Sequence, residues 1–272
     1  MKKIILISLL TLFSLSFTYA QQQFRLPLWT GSDAPEDASD AYIDVFLAPN
    51  PNGKFIVVCP GGGYAFLSNV GLGSARWLNK YGISTCALHY RLPKGRHDVP
   101  LKDAEQAIRI VRNHAKEWKV DEVGIMGTSA GGHLTGTVAT IFTSEDTRPD
   151  FQILYYPVIT MDKSFTHAGS RHELIGDNAS KELEEKYSCE KQVRENSPRA
   201  FIVVSATDKV VPVKNSLVYA QALRDKGVPV SLHVYPYGKH GFGYNYNFKD
   251  GDAIYDEVIN WIFENYDTRK NK

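Results

Sequence analysis

The sequence predicts an α/β protein in which a mostly parallel sheet carries helices on both faces. Three observations lead there. Short apolar runs of strand character recur along the chain with helix-like segments between them, the rhythm of β-α-β crossover units. One run, Val123-Gly124-Ile125-Met126, enters Gly127-Thr128-Ser129-Ala130-Gly131, after which residues 133–139 read as a helix packed on a sheet. Another, Lys54-Phe55-Ile56-Val57-Val58-Cys59, runs into Pro60-Gly61-Gly62-Gly63-Tyr64, a glycine loop after a strand. The 272 residues are 43% hydrophobic and 22% charged, which suits one domain with an extensive core.

Taken in order, Lys2 and Lys3 precede a mainly apolar stretch, 4–17, and Thr18-Tyr19-Ala20 places small residues where a signal peptidase reads. Residues 1–20 are therefore expected to be a signal peptide, leaving 21–272 as a single domain exported to the periplasm or the exterior. The apolar stretch is too short to span a bilayer, and no cysteine near the cleavage position suggests a lipid anchor, so no membrane partner is expected after cleavage. Residues 41–47 alternate as an early edge strand, and 83–89 read as a central one. Between 103 and 118, apolar residues at 104, 108, 111, 115 and 118 mark a helix resting one face on the sheet. Residues 151–156 form the next strand. The segment 157–198 then breaks the rhythm and is read as a short cap-like insertion over the site, its charged part, 180–195, being a solvated helical face. Residues 201–205 and 230–235 complete the strands.

The chemistry sits in the loops after strands, where open α/β sheets place their ligands. A serine on a strand-to-helix turn takes a strained backbone, so its neighbours two positions away need to be nearly free of side chain. Ser129 is thus the candidate nucleophile. Asp208, in Asp208-Lys209-Val210-Val211-Pro212, and His240, in Gly238-Lys239-His240-Gly241-Phe242, sit in the loops after the last two strands, the candidate acid and base. Asp162, after the preceding strand, competes with Asp208. A tetrahedral oxyanion needs backbone N–H donors about 3 Å away, and glycines allow that approach, so Gly62, Gly63 and the amide of Ala130 are the candidate donors. The glycine loop matches neither of the phosphate-binding patterns, and Gly71-Leu72-Gly73 lacks a third glycine.

On P-G-G-G-Y at 60–64, G-T-S-A-G-G-H at 127–133, D-K-V-V-P at 208–212 and G-K-H-G-F at 238–242, the chain resembles the α/β-hydrolase serine esterases. Within them it is similar to the carbohydrate acetylesterases secreted by polysaccharide-degrading bacteria. The resemblance implies the α/β-hydrolase fold, a Ser129-His240-Asp208 triad, the oxyanion donors named above, and removal of acetyl groups from plant oligosaccharides such as xylan fragments. Pro60 departs from the lipase branch, which has a histidine there in H-G-G-G.

Aromatic residues crowd the expected rim: Tyr64, Phe66, Tyr155, Tyr156, Phe242, Tyr244 and Tyr246. Tyr64 and Phe242 are taken as substrate contacts, because aromatic planes hold the apolar faces of sugars. Cys59, Cys86 and Cys189 show no metal-like spacing. Cys59 and Cys86 read as buried thiols, and His89, His133 and His233 as internally hydrogen-bonded, so neither metal nor cofactor is expected. The formal charge of +1 becomes −1 without Lys2 and Lys3, which implies no nucleic-acid partner. Oligomeric state is left open. Other classes fit less well. A general short-chain or lipase-like esterase shares the site; a serine peptidase on this scaffold usually needs an accessory domain; a non-catalytic binding protein typically loses a triad member. Ser188-Cys189-Glu190-Lys191 spells S-x-x-K, but its companion motifs S-D-N and K-T-G are absent.

Overall fold

A computed structural model describes residues 22–32, 34–242, 248–249 and 251–264. Residues 1–20, Tyr244 and Tyr246 lie outside these. Among the described residues, eight strands form one sheet: β1 (Gln22–Pro27), β2 (Tyr42–Leu47), β3 (Gly53–Cys59), β4 (Ser84–His89), β5 (Val120–Thr128), β6 (Phe151–Tyr155), β7 (Arg199–Ser205) and β8 (Val230–Tyr235). Their spatial order is β1-β2-β4-β3-β5-β6-β7-β8. The pairs β1–β2 and β2–β4 are antiparallel, and every pairing from β4 to β8 is parallel. Among the described residues, eight α-helices accompany the sheet: α1 (Val70–Asn79), α2 (Val99–Asn113), α3 (Ala115–Trp118), α4 (Ala130–Ile141), α5 (Ala168–Ile175), α6 (Lys181–Lys186), α7 (Lys214–Asp225) and α8 (Gly251–Phe263).

Side chains alternate across each strand, so one sequence of apolar residues supplies two cores. In β3, Phe55, Val57 and Cys59 face Ala104, Ile108 and Val111 of α2 and Leu134 and Val138 of α4. Ile56 and Val58 face the other way, toward Leu78 of α1 and Ile254, Val258 and Ile262 of α8. A third cluster packs Tyr219 and Leu223 of α7 on Leu154 and Ile202. Cys59, Cys86 and Cys189 are free thiols inside these layers.

Three sequence expectations change. Residues 41–47 are not an edge, because the polar strand β1 pairs outside β2, held by Arg25 Nε on Asp44 at 2.7 Å and by the Arg25 guanidinium over the Tyr42 ring. The helix expected over 103–118 starts earlier, at Val99 with Pro100 in its first turn, and breaks at His114, whose ring stacks on Trp118. The charged run 180–195 is solvated only over α6, which buries no residue; Tyr187, Ser188, Cys189 and Val193 are in the interior because the chain turns back beneath α4.

Candidate active site

β5 delivers Ser129 at its carboxyl end, with φ 54° and ψ −120°, in the left-handed half of the map that L residues rarely take. Packing holds it there. A Cβ on Gly127 would lie 2.1 Å from the Gly131 carbonyl oxygen, and one on Gly131 would lie 2.2 Å from the Cys59 oxygen and 2.5 Å from that of Pro60. Only glycine fits at either position, so the G-x-S-x-G pattern follows from backbone meeting backbone. Ser129 N–H donates to the Tyr155 carbonyl at 3.0 Å, and the Ser129 carbonyl accepts from Val158 N–H at 3.1 Å, which ties the elbow to β6.

The structure brings Ser129, His240 and Asp208 together. His240 Nδ1 lies 2.7 Å from Asp208 Oδ2 and its Nε2 lies 2.9 Å from Ser129 Oγ. Asp208 also accepts at Oδ1 from the amides of Val210, at 2.8 Å, and Val211, at 3.0 Å. Burial pushes its carboxyl up, but the His240 hydrogen bond and these two amides outweigh burial and hold it below its usual value. A carboxylate accepting at Nδ1–H leaves Nε2 bare to accept from the serine hydroxyl. The histidine loop is pinned in turn: the Gly238 carbonyl accepts from Ser205 Oγ at 2.9 Å and Thr207 Oγ1 at 3.0 Å. Asp162 is engaged locally, accepting from Ser164 N–H and Oγ at 2.9 and 2.8 Å.

After β3, Gly62 and Gly63 take φ of 127° and 67° and line the same cavity as Ser129. A Cβ on Gly62 would come within 2.0 Å of the Phe66 carbonyl oxygen. Among the described residues, the amides of Gly62, Gly63 and Ala130 make no backbone hydrogen bond, which leaves them available as donors.

Both aromatic contacts expected from the sequence turn inward. Tyr64, at φ 63°, is 1% exposed and donates its hydroxyl to His133 Nδ1 at 2.8 Å, while His133 Nε2–H donates to the Tyr187 carbonyl at 2.7 Å. Burial lowers His133 to about 4, so it is neutral. Phe242 is 4% exposed, packed among Tyr156, Tyr235 and Phe248. Tyr155 is buried as well. Of the rim aromatics, Phe66 and Tyr156 line the cavity of ≈ 450 Å³, together with Ala65 and Val210. Sequence reasoning missed His167 and Glu173, which enter the cavity wall from the 157–198 segment. No motif marks them; the one available signal was their place in a segment read as covering the site. Among the described residues no group of three metal-ligating side chains occurs, and no helix is long and apolar enough to cross a membrane.

Residues 61–243 match a family described by the alpha/beta hydrolase fold. The chain belongs to the α/β-hydrolase family. Among its relatives is an acetylxylan esterase of Xylanibacter ruminicola, 42% identical over 234 residues that cover 83% of this chain and 48% of the relative. Another is endo-1,4-beta-xylanase B of Butyrivibrio fibrisolvens, 35% identical over 241 residues, 81% of this chain and 38% of the relative. The chain thus spans about half or less of the length of these relatives. The crystal structure of an acetyl ester-xyloside bifunctional hydrolase from Caldicellulosiruptor lactoaceticus superposes with a TM-score of 0.78 at 33% identity, covering 88% of this chain and 96% of that one.

Proposed function

We propose that this chain is an exported serine carboxylesterase that removes acetyl groups from plant oligosaccharides such as acetylated xylan fragments. The hydrogen-bonded line from Asp208 through His240 to Ser129, opening on a cavity, carries the reaction class. The 42% identity to an acetylxylan esterase supports the substrate.

In this reading Ser129 Oγ attacks the ester carbonyl as its proton passes to His240 Nε2, and Asp208 holds the imidazole tautomer and offsets its charge. The oxyanion is met by the amides of Gly62, Gly63 and Ala130. His240 returns the proton to the leaving sugar hydroxyl, and water then releases acetate from the acyl-enzyme by the same path. Apart from substrate and water, these steps use only residues of the chain. The apolar walls at Ala65, Phe66 and Val210 favour a second reading, a general short-chain carboxylesterase.

Two measurements test the proposal. A fluorophosphonate probe should label the protein, and Ser129→Ala should abolish labelling and lower turnover by about 10⁴-fold or more. Wild type should release acetate from acetylated xylo-oligosaccharides. Labelling that survives in the variant overturns the nucleophile, and failure on the oligosaccharides alongside hydrolysis of simple acetates selects the second reading.

A further inference from the structure

We infer that the alcohol side of the cavity is a sugar subsite in which His167 and Glu173 bind hydroxyl groups while Phe66 covers the apolar face of the ring. The inference rests on the acetylesterase reading and specifies how its substrate is held. An acetyl group carries one methyl beyond its carbonyl, a small part of ≈ 450 Å³, so most of the cavity is left for the alcohol. Its walls are otherwise glycine or apolar, apart from the elbow and the catalytic histidine, with hydroxyls at Ser68 and Tyr156. Against that background a histidine and a glutamate from one element stand out.

His167 caps α5. Its Nδ1 accepts from Ser170 N–H at 3.2 Å, and a backbone amide can only donate, so the ring proton sits on Nε2. Among the described residues that Nε2–H has no partner, and the ring edge lies beside the oxyanion loop, its Cε1 3.8 Å from where a Gly63 Cβ would be. Burial first, then the neighbouring His240, lower its affinity for a second proton, which keeps it a neutral donor. Glu173, six residues after His167 in the same element and half-buried, makes no ion pair or hydrogen bond among the described residues. A carboxylate with open lone pairs accepts adjacent hydroxyls, and an apolar alcohol or long acyl chain pressed on it would strip its water without replacing it. Phe66, 61% exposed at the mouth, presents an aromatic face. The element is rigidly held: Arg171 donates to the Met161 carbonyl at 3.0 Å and the Gly176 carbonyl at 2.8 Å, and pairs with Glu184.

The test compares esters that share acetate and differ in alcohol: acetylated xylotriose against 4-nitrophenyl acetate, and monoacetylglycerol against ethyl acetate. His167→Asn keeps an N-cap-competent side chain but withdraws the Nε2–H. Glu173→Gln keeps the shape and replaces one acceptor. In each variant the ratio of kcat/KM for the polyol ester over that for the simple ester should fall at least about tenfold, chiefly through KM. Both members of a pair are measured on one preparation, so an unfolded fraction cancels. Ratios that stay at the wild-type value, with efficiencies either retained or falling in parallel, overturn the subsite. Wild type that ignores acetylated xylotriose while the glycerol-to-ethyl ratio still falls in the variants overturns the oligosaccharide reading and leaves the hydroxyl-binding pair standing.

Discussion

Replacing Gly131 with alanine tests whether the elbow and the glycine loop after β3 are set by backbone contact. The added methyl would sit 2.2 Å from the Cys59 oxygen and 2.5 Å from the Pro60 oxygen, both main-chain atoms that no rotamer change can move. Reaching ordinary van der Waals separation requires the start of α4 and the end of β3 to part by about 1 Å, in a close-packed interior that resists it. Overpacking of this kind costs about 1–3 kcal/mol, which for a chain of this size lowers Tm by roughly 2–6 °C. The same movement separates the Ala130 amide from those of Gly62 and Gly63, and a misplacement of about 1 Å costs about 10²-fold in rate. Thermal unfolding and kcat/KM on 4-nitrophenyl acetate measure the two effects. Gly73→Ala is the control: it lies in α1, its Cβ would meet nothing within 4 Å, and a better helix former there should raise stability by about 0.5–1 kcal/mol without touching catalysis. A Gly131→Ala protein with wild-type Tm and activity would refute the reasoning.

Asp208→Asn should lower turnover by about 10³-fold or more, because an amide cannot both orient His240 and offset its charge, whereas Asp162→Asn, whose carboxylate serves only its own turn, should keep at least about a tenth of wild-type turnover; the opposite ranking moves the acid. Acetyl esters should be hydrolysed with higher kcat/KM than butyryl or octanoyl esters of the same phenol, since Pro60 breaks the lipase pattern and each further methylene gains about 0.8 kcal/mol only in a channel built to receive it; efficiency that climbs with chain length contradicts this. Folded His133 sits at about 4 against an unfolded value of about 6.5, so the unfolded chain takes up the proton first as pH falls. Its contribution is complete above about pH 6.5 and is lost between there and about 4, in total about 3 kcal/mol. Wild-type Tm should therefore drop more steeply across that window than that of His133→Gln, and parallel curves would count against the buried neutral histidine.

The α/β order, the elbow and the glycine loop were legible because each is written locally: alternating runs name strands, and a G-x-S-x-G between strand and helix names a turn whose backbone clashes exclude any side chain at Gly127 and Gly131. Asp208 and His240 could be picked from their order after Ser129, since parallel strands bring their carboxyl-end loops to one edge. Tyr64 and Phe242 could not be placed, because a residue beside a glycine loop can turn either way. β1 was also missed: six residues burying little have no apolar alternation to read, and their partner strand, where Asp44 meets Arg25, lies nineteen positions on.

From the sequence alone came the fold class, the three side chains of the candidate triad and the loop that faces them, for all of these depend on residue type at short spacing or on chain order along a parallel sheet. Tertiary structure alone decided which neighbours line the cavity. It buried Tyr64 against His133, packed Phe242 among Tyr156, Tyr235 and Phe248, and carried His167 and Glu173 from the 157–198 segment into the cavity wall. A cavity is bounded by residues far apart in the chain, and the direction each side chain takes is set by packing against partners that no local pattern records.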